Sequence, residues 1–257
     1  MGRLTSVRLV HSVCQMATIL QKSTTERYEA RRREFLVRAL AGGLLAAGVP
    51  GSAGAQVLGR VPKALPPGSI YDVSGAVRVN GKSLARDTLI GPNDTIETGK
   101  NARIVFVVGT DAFLLHGGGK LELKGSGTLA ATMRLATGAL LSVFGKGQRT
   151  VYGPTSTIGI RGTGLYLEAE ADRTYVCTCY GDTEIAAIDD PKISERVVSM
   201  HHDAPRYVLA KPDKGRRIIP AGFKNHTDLE LMLIESLVGR TPPFSLFDEG
   251  YAGPRRY

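Results

Sequence analysis

From Gly68 to about Ile188, short aliphatic and β-branched runs recur every 8–12 residues or so, each closed by a turn signal. Ile70-Tyr71-Asp72-Val73 and Ala76-Val77-Arg78-Val79 alternate and are broken by Ser74-Gly75 and Asn80-Gly81. Asn-Gly is the strongest short hairpin signal, because both turn residues must adopt positive φ. Ile104-Val105-Phe106-Val107-Val108 is a continuous apolar run, as expected of a strand buried on both faces. Phe113-Leu114-Leu115, Leu121-Glu122-Leu123, Met133-Arg134-Leu135 and Leu140 to Phe144 follow, with glycines between them. Leu165 to Glu170 and Tyr175 to Tyr180 flank a turn at Ala171-Asp172-Arg173. No helical pattern of 10–15 residues or so intervenes, which removes the parallel α/β folds. The chain is therefore read as all-β, with a sandwich, barrel or solenoid as the available architectures.

Beyond Asp189-Asp190-Pro191 the pattern changes. Val197 to Met200 and Arg206 to Leu209 are expected as two more strands. Thr227-Asp228-Leu229-Glu230 has the form of a capping box, with Glu three residues after the N-cap Thr. Leu229, Met232, Leu233 and Leu237 then fall at helical spacing, and Gly239 supplies the stop. One amphipathic helix over 228–238 should pack on the sheet, and residues 241–257 form an irregular tail.

The N-terminal region bears on location. Arg32-Arg33-Glu34-Phe35-Leu36 precedes a short apolar run, Ala39 to Val49, and Ala53-Gly54-Ala55 follows. That order of charged, apolar and small residues describes a secretory signal peptide. The arginine pair matches the twin-arginine route, which exports folded proteins. The export residues are thus Arg32, Arg33, Ala53 and Ala55, with cleavage before Gln56 and a periplasmic product. The apolar run is shorter than the roughly 20 residues that cross a bilayer, so no transmembrane span is expected after cleavage. The chain divides into a leader (1–55), an extended linker (56–67), a β domain (68–190) and a final part with β extension, helix and tail (191–257).

Charge is read with that division in mind. The chain carries 33 Lys and Arg against 24 Asp and Glu, a net +9. Residues 1–55 hold eight of the basic and three of the acidic residues, leaving 25 against 21, or +4, on residues 56–257. That is an ordinary solubility charge. There is no Trp and only 6% aromatic residues, so stacking platforms are scarce. Nucleic acid is excluded as a partner.

The strand region resembles the FecR domain family, exported all-β modules best known as periplasmic sensing parts of signalling proteins. The resemblance runs through Gly68 to Val73, then Gly75-Ala76-Val77-Arg78-Val79, and through Ile90-Gly91-Pro92-Asn93-Asp94-Thr95-Ile96-Glu97-Thr98-Gly99. It continues in Asn101 to Phe106 and Gly138-Ala139-Leu140. Its most specific piece is Pro154 to Thr163, which contains Gly159, Arg161, Gly162 and Thr163. The resemblance implies a β-solenoid-like or rolled-sheet module that binds an envelope protein partner and is not an enzyme. Arg161 is expected at a buried corner, where its five donors could satisfy several carbonyls, with a ligand-reading role as the alternative. Gly109 to Phe113 departs from the family's turn. Only a leader is expected before the module, so the family's transmembrane anti-sigma mechanism does not carry over.

Motifs for catalysis are few. His116-Gly117-Gly118-Gly119 matches an esterase oxyanion loop, but no G-x-S-x-G elbow accompanies it, and His116 is read as a strand end. No P-loop and no H-E-x-x-H motif occurs. Carboxylate-pair catalysis leaves no sequence-local mark and stays open. The chemically suggestive segment is Tyr175-Val176-Cys177-Thr178-Cys179-Tyr180. On a strand the two cysteines share a face about 6.6–6.8 Å apart, the far edge of disulfide reach. Free thiols side by side are unexpected in an oxidising compartment. His201-His202 should lie on the next returning strand, where alternation lets only one of them face the thiols unless the pair sits in a bend. Cys177, Cys179, His201 and His202 are therefore the candidate ligands for zinc or copper. A disulfide, buried packing, haem ligation and redox chemistry are the alternatives. The competing function is a small metal- or redox-active periplasmic protein.

Overall fold

The computed structural model describes residues 64–244. Fourteen strands belong to one sheet, in the order β14-β13-β11-β10-β9-β8-β7-β4-β2-β3, with β1, β5, β6 and β12 branching from that path. The first seven are β1 (Ile70–Ser74), β2 (Val77–Val79), β3 (Lys82–Ser83), β4 (Thr95–Thr98), β5 (Arg103–Val108), β6 (Asp111–Leu115) and β7 (Lys120–Ser126). The rest are β8 (Leu129–Val143), β9 (Gln148–Tyr152), β10 (Ser156–Ala169), β11 (Arg173–Ala187), β12 (Ser194–Ser199), β13 (Arg206–Asp213) and β14 (Arg216–Pro220). One helix among the described residues, α1 (Asp228–Leu237), follows.

All-β with one C-terminal helix is what the strand spacing predicted. The sheet is rolled, and its connectivity is not that of a solenoid. Every strand pair is antiparallel except β8 with β9. Hairpins, not stacked coils, therefore build the roll. Asn80 and Gly81 have φ of 52° and 76°, the positive pair that the tight β2–β3 hairpin requires.

Long strands make the roll possible. The first half of β8 pairs with β7 and β9, and its second half pairs with β6 and β10. Gly138 sits at the change of partners with φ of 81°, a conformation that L side chains rarely adopt. Separate strands had been expected around Met133–Leu135 and Leu140–Phe144, and they form one bent strand instead. The inner face closes on a core that includes Ile104, Phe106, Phe113, Leu121, Met133 and Ile158.

The outer face of the central strands is also covered. Val105, Leu114, Leu141, Tyr166 and Cys177 are direct partners in succession across β5, β6, β8, β10 and β11. Directly paired residues share a sheet face. All five are buried, and none belongs to the inner core cluster. Helix α1 packs against β6 and β8 and contributes buried Leu231, Leu233, Ile234 and Leu237.

Its capping box forms as the sequence predicted. Glu230 N–H donates to Thr227 Oγ1 at 3.3 Å, and Thr227 N–H donates to Glu230 Oε2 at 2.9 Å. Gly239, at φ 71°, follows the helix as expected.

Candidate metal centre

The two cysteines lie where β11 changes neighbours. On one edge, β13 pairs with Arg173 to Val176 and β12 pairs with Gly181 to Ala186. Residues 177–180 are left to the loop that joins β12 to β13, and His202 N–H donates to the carbonyl of Cys179 at 2.8 Å. His202 has φ of 54°, so the loop kinks sharply at this point. His201 and His202 thus sit in a bend after β12 rather than on a strand.

A second loop enters from the other side. After β14, Tyr175 Oη donates to the carbonyl of Gly222 at 3.0 Å, and Lys224 Nζ reaches Glu168 at 2.6 Å. These contacts deliver His226, which stacks on Tyr166 with ring centroids 4.2 Å apart. Phe223 packs on both His202 and His226.

The result is a buried group of four, Cys177, Cys179, His202 and His226, whose donor atoms all lie within 4.8 Å of one another. Cys177 Sγ is 3.4 Å from His202 Nδ1, and Cys179 Sγ is 3.5 Å from His226 Nε2. His202 Nδ1 and His226 Nε2 are 3.1 Å apart. A tetrahedral zinc ion with bonds of about 2.3 Å to sulfur and 2.0–2.1 Å to nitrogen spaces sulfur and nitrogen about 3.6 Å apart, and its two nitrogens about 3.3 Å apart. The observed edges fall within 0.2 Å or so of those values.

Hydrogen bonding fixes the ring protons. His202 Nε2 lies 2.9 Å from Asp228 Oδ1, and His226 Nδ1 lies 2.7 Å from the carbonyl of Lys224. A carboxylate and a carbonyl only accept, so those two nitrogens carry the hydrogens. In neutral rings His202 Nδ1 and His226 Nε2 are then bare, facing each other and the two sulfurs. Each of these nitrogens can take either the S–H of the thiol beside it or a metal ion shared by all four donors. Ligating histidines commonly donate their second N–H to a carboxylate or backbone carbonyl, and both rings do so here.

The same surroundings shift the two cysteines in opposite directions. Burial pushes the Cys177 thiol up, but hydrogen bonding from Cys179 and the His226 and His202 rings outweigh it and hold Cys177 well below the ordinary thiol range. Burial and the neighbouring Cys177 raise Cys179. Burial also lowers His202, yet Asp228 and Cys177 reverse this and lift it to about 9.

Of the residues expected from sequence, Cys177, Cys179 and His202 meet. His201 does not join them. Its Nε2 contacts both oxygens of Asp228 at 3.1 Å, and its ring lies against Phe244. His226 takes the fourth place, and sequence reasoning missed it. It lies 47 residues from Cys179, and no local spacing links the two. The available signal was that three of the chain's five histidines fall within 201–226.

Both cysteines are free, so the disulfide alternative is not realised. Both lie on β11, whose register against β10 shifts between Thr178 and Tyr180, so that Cys179 falls at an irregularity of the strand. Tyr175 shares the face of Cys177 and is buried.

The Gly159–Thr163 segment forms a different feature from the one expected. Arg161 is exposed on β10, opposite Asp182, and lines a groove with Gln148, Glu184 and Arg196. It is not a buried corner, because β10 bulges between Arg161 and Gly164 and turns that side chain outward. Thr163 is buried behind the bulge, Gly162 has φ of 59°, and Gly159 lines the groove. Arg32, Arg33, Ala53 and Ala55 lie outside the described residues. No helix among the described residues is long and apolar enough to cross a membrane.

No protein family and no curated protein matches this chain by sequence. Two crystal structures described as a "putative anti-sigma factor" from Parabacteroides distasonis ATCC 8503, at 1.65 and 2.50 Å resolution, are similar to it at 10% identity. The first likeness covers 49% of this chain and 58% of the other, with a TM-score of 0.40. The second covers 53% and 70%, with a TM-score of 0.41. This chain therefore spans less than two thirds of the first structure's length.

Proposed function

We propose that this protein is an exported, non-catalytic FecR-type module of the cell envelope that holds one zinc ion at Cys177, Cys179, His202 and His226. The observation that carries the reading is the buried convergence of four donor atoms, with His202 Nδ1 and His226 Nε2 3.1 Å apart and each beside a cysteine sulfur. Four protein ligands in a buried shell suit structural zinc, which is closed and tetrahedral. Such a centre leaves no open position for substrate, which favours binding or signalling over catalysis. Thiolate ligands also suit copper(I), the other ion of matching softness.

Export rests on Arg32-Arg33 and the Ala53-Gly54-Ala55 site. Folding before export agrees with a centre that must be loaded in a controlled compartment. The FecR reading rests on the motifs between Gly68 and Thr163 and implies an envelope protein as partner. Edge strands β3, β12 and β14, each with one neighbour, offer backbone for strand addition.

Metal analysis of the full chain purified from the periplasm tests the proposal. One zinc per chain is expected, with Cys177→Ser lowering the content sharply. Protein that is folded and exported but carries no transition metal at stoichiometric level would overturn it. Copper in place of zinc would keep the centre and correct the ion.

A further inference from the structure

We infer that the metal at this centre is also the latch of helix α1, so that metal occupancy sets whether the outer sheet face is covered. The inference rests on the zinc reading above. It follows from where the ligands fall relative to the helix. His226 immediately precedes the N-cap Thr227, and Asp228, which receives His202 Nε2–H, is the first residue of α1. The helix start is therefore gripped twice, once by a ligand and once by the carboxylate that orients another ligand.

His201 Nε2 adds a second imidazole contact to Asp228, at 3.1 Å. The ten residues of the helix lie below the roughly 12–15 at which isolated helices become even marginal, so docking must supply its order. Further polar ties sit near the C-terminal end. Tyr180 Oη donates to Glu235, Arg240 donates to the carbonyl of Thr110, and Leu65 N–H donates to the carbonyl of Leu237. The centre and the helix also share one surface. Cys177 ends the transverse row that begins at Val105, and α1 packs over the middle strands of that row.

Without the ion, His226 loses its link to Cys177 and Cys179, while the Lys224, Asn225 and Tyr175 anchors, the ring stacking and the Asp228 contacts remain. The helix start then frays away from the sheet, baring Leu114 and Leu141. Such a device converts metal supply in the envelope into exposure of an apolar face.

Amide hydrogen exchange on the full chain, with zinc loaded and after removal by a chelator, tests this. Zinc content is measured on the same samples. Amides of Leu231 to Leu237 should exchange about 100-fold or more faster without zinc, while those of β5 and β6 stay protected. The β5 and β6 amides report that the sheet remains folded. The double variant Cys177→Ser/Cys179→Ser should show fast exchange in α1 whether or not zinc is supplied. If the loaded chain contains one zinc and α1 exchanges at the same rate after its removal, the latch is wrong and the metal centre stands. If the chain takes up no zinc, both fail.

Discussion

His202 and Asp228 are joined through Nε2 and Oδ1 at 2.9 Å, and both side chains are buried. The bond fixes the His202 tautomer and directs Nδ1 at Cys177, so a residue of the helix orients a ring on the β12–β13 loop. Asp228 is also at the helix N-terminus, where a negative charge is favoured by the aligned peptide dipoles. One carboxylate thus serves both the cap region of α1 and the candidate centre.

That relationship separates three variants. Asp228→Asn should weaken zinc binding about 10–100-fold, the usual cost of losing the partner that orients a ligand. His226→Ala should weaken it more, and His201→Ala less than either. Competition against a chromophoric chelator measures all three. Equal losses in His201→Ala and His226→Ala would mean that the ligand set is misassigned.

A second prediction concerns the far side of the sheet. Arg149 Nε donates to Asp111 Oδ2 at 2.8 Å, and both side chains are essentially buried. Asp111 also accepts from Gly145 N–H. Asp111→Ala should cost about 3–5 kcal/mol in urea unfolding, because it leaves a buried guanidinium without its partner. Replacing both residues by apolar ones of similar volume should cost much less. A single variant within about 1 kcal/mol of wild type would contradict the assignment.

The helix was legible in the sequence because its signals are local. Thr227, Glu230 and Gly239 are read within one stretch of chain, and the structure places each in the expected role. Strand positions were legible for the same reason, since alternation and Asn80-Gly81 act over a few residues. The roll was expected only through the family resemblance, because it depends on β8 and β10 changing partners midway, a matter of long-range pairing. The site divides along the same line. Cys177 and Cys179 declare themselves by spacing, whereas His226 reaches them only through the β14–α1 loop. His201 and His202 were read as strand residues, but the positive φ of His202 breaks the alternation used to sort them.

The third prediction is a pH dependence in α1. Burial raises the carboxyl of Glu235 above its ordinary value, with Arg240 opposing the shift. The protonated form is thus favoured by the fold. Its contribution is fully present below the unfolded value of about 4.3 and is lost as pH rises through the raised folded value. Glu235→Gln should therefore gain in Tm relative to wild type as pH increases across that window. A constant difference, measured by circular dichroism from acid to neutral pH, would contradict it.

For export, the mature chain should begin at Gln56, and Arg32→Lys with Arg33→Lys should trap precursor in the cytoplasm. N-terminal sequencing of the periplasmic form and fractionation of the variant read the two outcomes. Unchanged export of the variant would reassign the route to the general secretory pathway. An intact Met1 terminus on periplasmic protein would remove the leader altogether.

X-ray absorption at the zinc edge, on the purified protein, tests the central claim most directly. The account predicts a first shell of two sulfurs at about 2.3 Å and two imidazole nitrogens at about 2.0–2.1 Å. A shell of only oxygen and nitrogen, or a chain with no bound metal and both thiols free, would contradict it.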